Sequence, residues 1–186
     1  MNLKKSFDYF KTLKELSQIN CAVFDAVALG EDYKKHTVTF YGQRFELLER
    51  LSDDFVAPIE RNDIYNLTHN LYNQFCRIVI LGDIVDGDLR LSTEFLSGFK
   101  MVFDIQSNVI SGFDKKNDYM SLLKMCRQGQ QQALSLKRNV TSFMVNDLQK
   151  TKQPIYRCVV LSGVIDFCDT ISDALCLCER IFINNI

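Results

Sequence analysis

Proline and glycine are scarce in this chain, two and eight residues out of 186, which leaves few places where the backbone is forced to turn. Long apolar runs are missing too. Stretches such as Ile78 to Leu81 and Cys158 to Leu161 fall far short of the roughly 20 residues that span a bilayer, so no membrane-crossing segment is expected. Charge of one sign is not in excess: 22 Lys plus Arg stand against 23 Asp plus Glu, a net charge of −1. Such a balance provides no long-range field to gather nucleic acid or an anionic membrane, and Lys4-Lys5, Lys34-Lys35 and Lys115-Lys116 are too short to be basic patches. The start, Met-Asn-Leu-Lys-Lys-Ser-Phe-Asp-Tyr-Phe, is basic but reaches Asp8, Lys11, Lys14 and Glu15 without an apolar core, so a secretory signal is not expected and the chain should stay in the cytoplasm.

Cysteine is present in an odd number, seven, with no Cys-x-x-Cys, a pattern that suits a reducing compartment and buried thiols. The nearest pair, Cys176 and Cys178, projects to different sides of a helix. No glycine-rich phosphate loop, nucleophile elbow or paired metal-ligand motif occurs, and His36 and His69 lack the spacing of two ligands on one helical turn. A complete catalytic motif is therefore absent from the sequence, and a binding or regulatory protein is expected rather than an enzyme.

What the chain does have is apolar spacing at three and four residues. The length fits one domain that buries about 70% of its unfolded surface, so no disulfide or metal is needed to hold it. Six helices are predicted, with breaks near 30 to 36, 57 to 62, 86 to 92, 112 to 118 and 149 to 154. The first carries Leu3, Phe7, Phe10, Leu13, Leu16, Ile19, Val23 and Ala26 and stops at Gly30. The second is least regular: Val38 to Gly42 is strand-like locally, but Phe45, Leu48, Ser52 and Phe55 step as a helix. The third is predicted to be capped by Asn62, with Asp63 in its first turn and Ile64, Leu67, Leu71, Phe75 and Ile78 inward. The fourth runs from about Leu91 to Phe113, capped by Ser92 or Thr93, with Phe95, Phe99, Val102 and Val109 inward. In the fifth, Asp118 to Leu148, the run Gln128 to Gln132 interrupts an apolar face at Leu123, Leu134, Val140 and Phe143, and Gly129 costs about 1 kcal/mol against Ala. The sixth follows Pro154 and places Cys158, Leu161, Ile165, Cys168, Leu175, Cys178 and Phe182 on one stripe. The expected fold is an all-α antiparallel six-helix bundle in one domain, with three-helix halves at about 1–88 and 89–186. A short echo between Asp63-Ile64-Tyr65 and Pro154-Ile155-Tyr156 points to such halves.

Asp166, Asp169 and Asp173 fall within an arc of about 60° on the last helix. Like charges so spaced repel unless something offsets them, either Lys or Arg from another helix or a hard cation. A solvated acidic face and a metal or partner site are both open readings.

Asp54-Phe55-Val56-Ala57-Pro58-Ile59-Glu60-Arg61-Asn62-Asp63-Ile64-Tyr65-Asn66-Leu67 resembles a signature of the phosphate-transport regulators related to PhoU, in the branch accompanying inorganic-phosphate permeases. The opening Phe7-Asp8-Tyr9-Phe10 and the last helix from Ile155-Tyr156 through Asp166, Asp169 and Asp173 are similar to that family as well. The resemblance implies a six-helix bundle, a homodimer, and action through contacts with a membrane phosphate transporter or a phosphate-sensing protein, peripheral to the inner face of the membrane. It also implies carboxylate clusters that bind iron, zinc or similar cations. This chain has Leu71-Tyr72-Asn73-Gln74-Phe75-Cys76 and Cys126-Arg127-Gln128-Gly129-Gln130 where such acids would stand, and Ser162 where a Glu would. No cofactor is therefore expected, or at most one weakly bound divalent or ferric cation at Asp166, Asp169 and Asp173. The competing functions are a metal-binding carboxylate bundle and a purely structural or assembly bundle.

Overall fold

Asp8 opens the first helix: its carboxylate accepts a hydrogen bond from the Lys11 N–H at 2.9 Å, covering one of the donors a helix start leaves free. The computed structural model describes residues 8–53, 58–85, 93–114, 119–148 and 154–184. The helices are α1 (Tyr9–Leu29), α2 (Lys35–Asp53), α3 (Pro58–Val85), α4 (Thr93–Ser111), α5 (Tyr119–Leu148) and α6 (Pro154–Asn184), with a 3-10 turn at Gly112–Asp114 after α4. No strand occurs among the described residues, so the class is all-α as the periodicity implies. Gly30 ends α1 in the left-handed region, φ 71°, with its N–H returning to the α1 carbonyls.

The start of α3 differs from the expected one. α3 begins a turn earlier than an Asn62 cap allows, because Pro58 at the first helical position has no N–H to leave unsatisfied and its fixed φ suits the helix. Asn62 is exposed within α3, and Asp63 is buried and paired with Arg180 instead of standing at the helix end. α2 is helical from Lys35, inside the expected break near 30 to 36, so Val38 to Gly42 belongs to the helix despite its strand-like local preference. Leu3, Phe7 and Phe55 lie outside the described residues, as does the proposed cap Ser92.

Facing pairs run in opposite directions. Asp63–Arg180, Arg77–Asp166 and the Gln74–Thr170 hydrogen bond show it for α3 and α6; Arg127–Glu179 and Lys137–Asp169 show it for α5 and α6. A chain of rings forms the centre: Phe24 lies 5.3 Å from Phe103, and Phe103 lies 5.1 Å from Phe167, tying α1 to α4 and α6. Phe40 stacks on Phe75 at 4.2 Å between α2 and α3. At one end, Phe113 sits 4.7 Å from Phe10 and 4.6 Å from Phe182. The α3 stripe is buried as predicted, at Ile64, Leu67, Leu71, Phe75 and Ile78. Ile64 is buried whereas Ile155 is exposed, so the two segments of the internal echo play different packing parts.

Three predicted core residues face solvent: Phe45, Leu134 and Phe143. On α2 the inward face is Phe40, Leu47 and Leu51, because the helix starts two turns before Gln43 and Phe40 sets the register. On α5 the inward face is Leu122, Leu123, Cys126, Gly129, Ala133, Leu136 and Val140, unbroken in steps of three and four. The glutamine run does not interrupt it, since Gly129 and Ala133 carry the face through that stretch. A Cβ on Gly129 would stand 2.6 Å from Leu175 Cδ1 and 2.9 Å from Ile105 Cγ2, so this glycine lets α5 approach α4 and α6.

Candidate binding face on the last helix

α6 is covered on two sides, by α3 and α5, and its acidic residues sit at those two edges. Asp166 turns toward α3, where Arg77 Nη1 donates to its Oδ2 at 3.1 Å. Asp169 turns toward α5, where Lys137 Nζ reaches both carboxylate oxygens at 2.7 Å. Asp173 is exposed. The repulsion read from the sequence is thus offset by cations from neighbouring helices. The Asp169 carboxylate in turn holds the Lys137 ammonium above its ordinary pKa by hydrogen bonding. Asp166 and Asp169 are drawn to opposite flanks of the helix, and no group of three or more His, Cys, Asp or Glu side chains that could hold a metal ion occurs among the described residues.

Beside Asp166 the surface opens into a groove of about 370 Å³ between α3 and α6, lined by Arg77, Ile80 and Leu81 on one side and Cys158, Val159 and Ser162 on the other. Its rim is apolar: Val159 is 63% and Ile80 is 56% exposed. Gly163 contributes to the floor, and a Cβ there would meet nothing within 4 Å. The groove therefore offers greasy walls with an Arg–Asp pair at one end, the arrangement that receives an amphipathic segment bearing a polar group.

Beneath this face lies a polar layer that the apolar spacing does not predict. Gln74 and Gln106 exchange amide hydrogen bonds, each Nε2 donating to the other's Oε1 at 2.9 Å. Gln74 Nε2 also reaches the Thr170 carbonyl oxygen at 3.2 Å, and Asn20 Nδ2 donates to the Leu71 carbonyl oxygen at 2.9 Å. All four residues are buried, and together they tie α1, α3, α4 and α6. The signal was present: Asn20, Gln74 and Gln106 each occupy a position where the helical stripe calls for an apolar residue. Gln74 and Gln106 satisfy each other without a cation, whereas the buried Asn20 Oδ1 has no hydrogen-bond partner.

Four of the thiols are poor nucleophiles. Burial pushes Cys21, Cys126 and Cys168 up to about 12 and Cys178 well above its ordinary value. Cys176 is exposed while Cys178 is buried, as their spacing implies. His69 is exposed on α3, its ring 6.4 Å from that of Tyr72. His36 is on α2. No helix among the described residues is long and apolar enough to cross a membrane. The chain matches no protein-family model, no curated protein and no solved structure.

Proposed function

We propose that this chain is a non-enzymatic cytoplasmic accessory protein that regulates phosphate uptake by binding a membrane phosphate transporter or a phosphate-sensing protein, peripheral to the inner face of the membrane. The carrying observation is the segment Asp54 to Leu67, with its resemblance to the regulators that accompany inorganic-phosphate permeases. Of that segment, Asp54 to Ala57 lie outside the described residues. The remainder opens α3 at Pro58, pins Asp63 to Arg180 on α6, and sends Ile64 and Leu67 into the core. The resembling residues thus fix how α3 lies on α6, and the α3–α6 groove is the surface that this contact shapes. Its exposed Ile80 and Val159 give a partner helix apolar area to cover, and the Arg77–Asp166 pair gives it an orientation. Protonated buried thiols and acids already paired with Lys and Arg support recognition rather than chemistry.

The test is phosphate uptake in cells with and without the gene for this chain, measured with labelled phosphate at low and high external concentration. Uptake should change on deletion and be restored by the intact chain but not by Val159→Glu, which places a charge in the groove. Identical uptake in all strains at both concentrations would overturn the reading.

A further inference from the structure

α2 presents an apolar face to solvent on the side opposite its core residues. Val38 is 80%, Phe45 68% and Tyr41 43% exposed, and Gly42 lies among them in the middle of a 19-residue helix. We infer that this face of α2 is the contact for a second copy of this chain, the two α2 helices packing antiparallel about a twofold axis at Gly42.

Gly42 is the first ground. A Cβ at this position would meet no atom within 4 Å, so nothing inside the protomer requires a glycine there. Glycine in an exposed helix interior weakens the helix relative to alanine. A residue without a side chain serves such a place when another backbone must come close.

Charge is the second. Lys35 and Glu49 stand seven residues before and after Gly42, which at 100° per residue brings each within about 20° of the same face and about 10 Å along the axis. Both are exposed, and neither belongs to an ion pair among the described residues. In an antiparallel pair crossing at Gly42, Lys35 lies opposite Glu49 of the partner subunit, and the twofold repeats the contact. A parallel pair would set Lys35 against Lys35 and Glu49 against Glu49. The pattern is therefore self-complementary in one direction only.

Area is the third. Taking about 200 Å² for a large aromatic side chain, Val38, Tyr41 and Phe45 leave on the order of 300 Å² uncovered, more than a third of the roughly 800 Å² that each partner gives to a standard interface. The charged residues around them supply the rim, giving an apolar centre ringed by polar groups. This deepens the homodimer that the resemblance implies by naming its surface. It does not depend on the phosphate reading, because the test uses the purified chain alone.

Sedimentation equilibrium of the purified full chain between about 1 and 100 µM is the experiment. The expected mass is twice 21.5 kDa. Gly42→Leu should weaken the dimer at least about tenfold, while its melting temperature, measured where both proteins are monomeric, stays equal or rises. Lys35→Glu should also weaken the dimer, and the double variant Lys35→Glu/Glu49→Lys should restore it. A wild type that remains at 21.5 kDa throughout, or a dimer indifferent to Gly42→Leu, overturns the inference. Failure of the double variant to recover overturns the antiparallel register.

Discussion

One substitution, glycine to alanine, should have opposite effects at two helical positions. At Gly163 on α6 a Cβ meets nothing within 4 Å, so only the helix propensity changes, by about 1 kcal/mol in favour of alanine. At Gly129 on α5 the same propensity gain is available, but the new methyl would lie 2.6 Å from Leu175 Cδ1 and 2.9 Å from Ile105 Cγ2. Leu175 is fully buried and Ile105 is packed against the core, so neither can swing into water. Overpacking of this kind costs about 1 to 3 kcal/mol, which exceeds the propensity gain by roughly 1 kcal/mol. For a domain of this length, Gly163→Ala should raise the melting temperature by about 2–4 °C and Gly129→Ala should lower it by a similar amount. Urea denaturation at one fixed protein concentration gives the same comparison as midpoints. A Gly129→Ala protein as stable as Gly163→Ala would refute the close approach of α5 to α4 and α6.

Other consequences follow from single contacts. Arg180→Ala leaves the buried Asp63 carboxylate without its cation; because Arg180 is half in water, the cost should be about 2 kcal/mol rather than that of a fully buried pair, and a double-mutant cycle with Asp63→Ala should return a coupling of at least about 1 kcal/mol. Gln74→Leu should cost about 2 kcal/mol by orphaning the Gln106 amide, and Gln74→Leu/Gln106→Leu should be more stable than either single variant in urea titrations. Because burial raises the thiols of Cys21, Cys126 and Cys168 to about 12 from an unfolded value near 9, their contribution to stability is complete below pH 9 and is lost as pH rises toward 12. Wild type should therefore lose stability between pH 9 and 10.5 faster than Cys168→Ala, measured by urea midpoints. With Asp166 and Asp169 held by Arg77 and Lys137, added Mg²⁺, Zn²⁺ or Fe³⁺ should leave the melting temperature unchanged; a rise that Asp169→Asn abolishes would show a cation site on α6.

How much of this was legible in the sequence depended on how a face is built. α3 and the well-packed part of α6 were readable because large apolar residues recur there at three and four, and burial acts on that repeat alone. α5 misled because its face passes through Gly129 and Ala133, which pack tightly while registering little hydropathy, so Leu134 and Phe143 drew attention to the wrong side. α2 misled in the opposite sense: Phe45 is large and apolar yet exposed, and Phe40 sits in a stretch whose local preference is extended. The acidic trio was visible, but its partners were not, since Arg77 and Lys137 lie 89 and 32 residues from the aspartates they bind and no period links them. The amide layer left a trace, three polar residues in apolar register, though which amide meets which is decided only by the packing of four helices.

Co-purification is the direct test of the proposal that this chain acts by binding a component of phosphate uptake. The tagged chain is recovered under mild conditions from membranes of phosphate-starved and phosphate-replete cells, alongside the Val159→Glu variant. The expected result is a phosphate transporter or a phosphate-sensing protein bound to the intact chain in at least one condition and lost from the variant. Recovery of neither protein in either condition would contradict it.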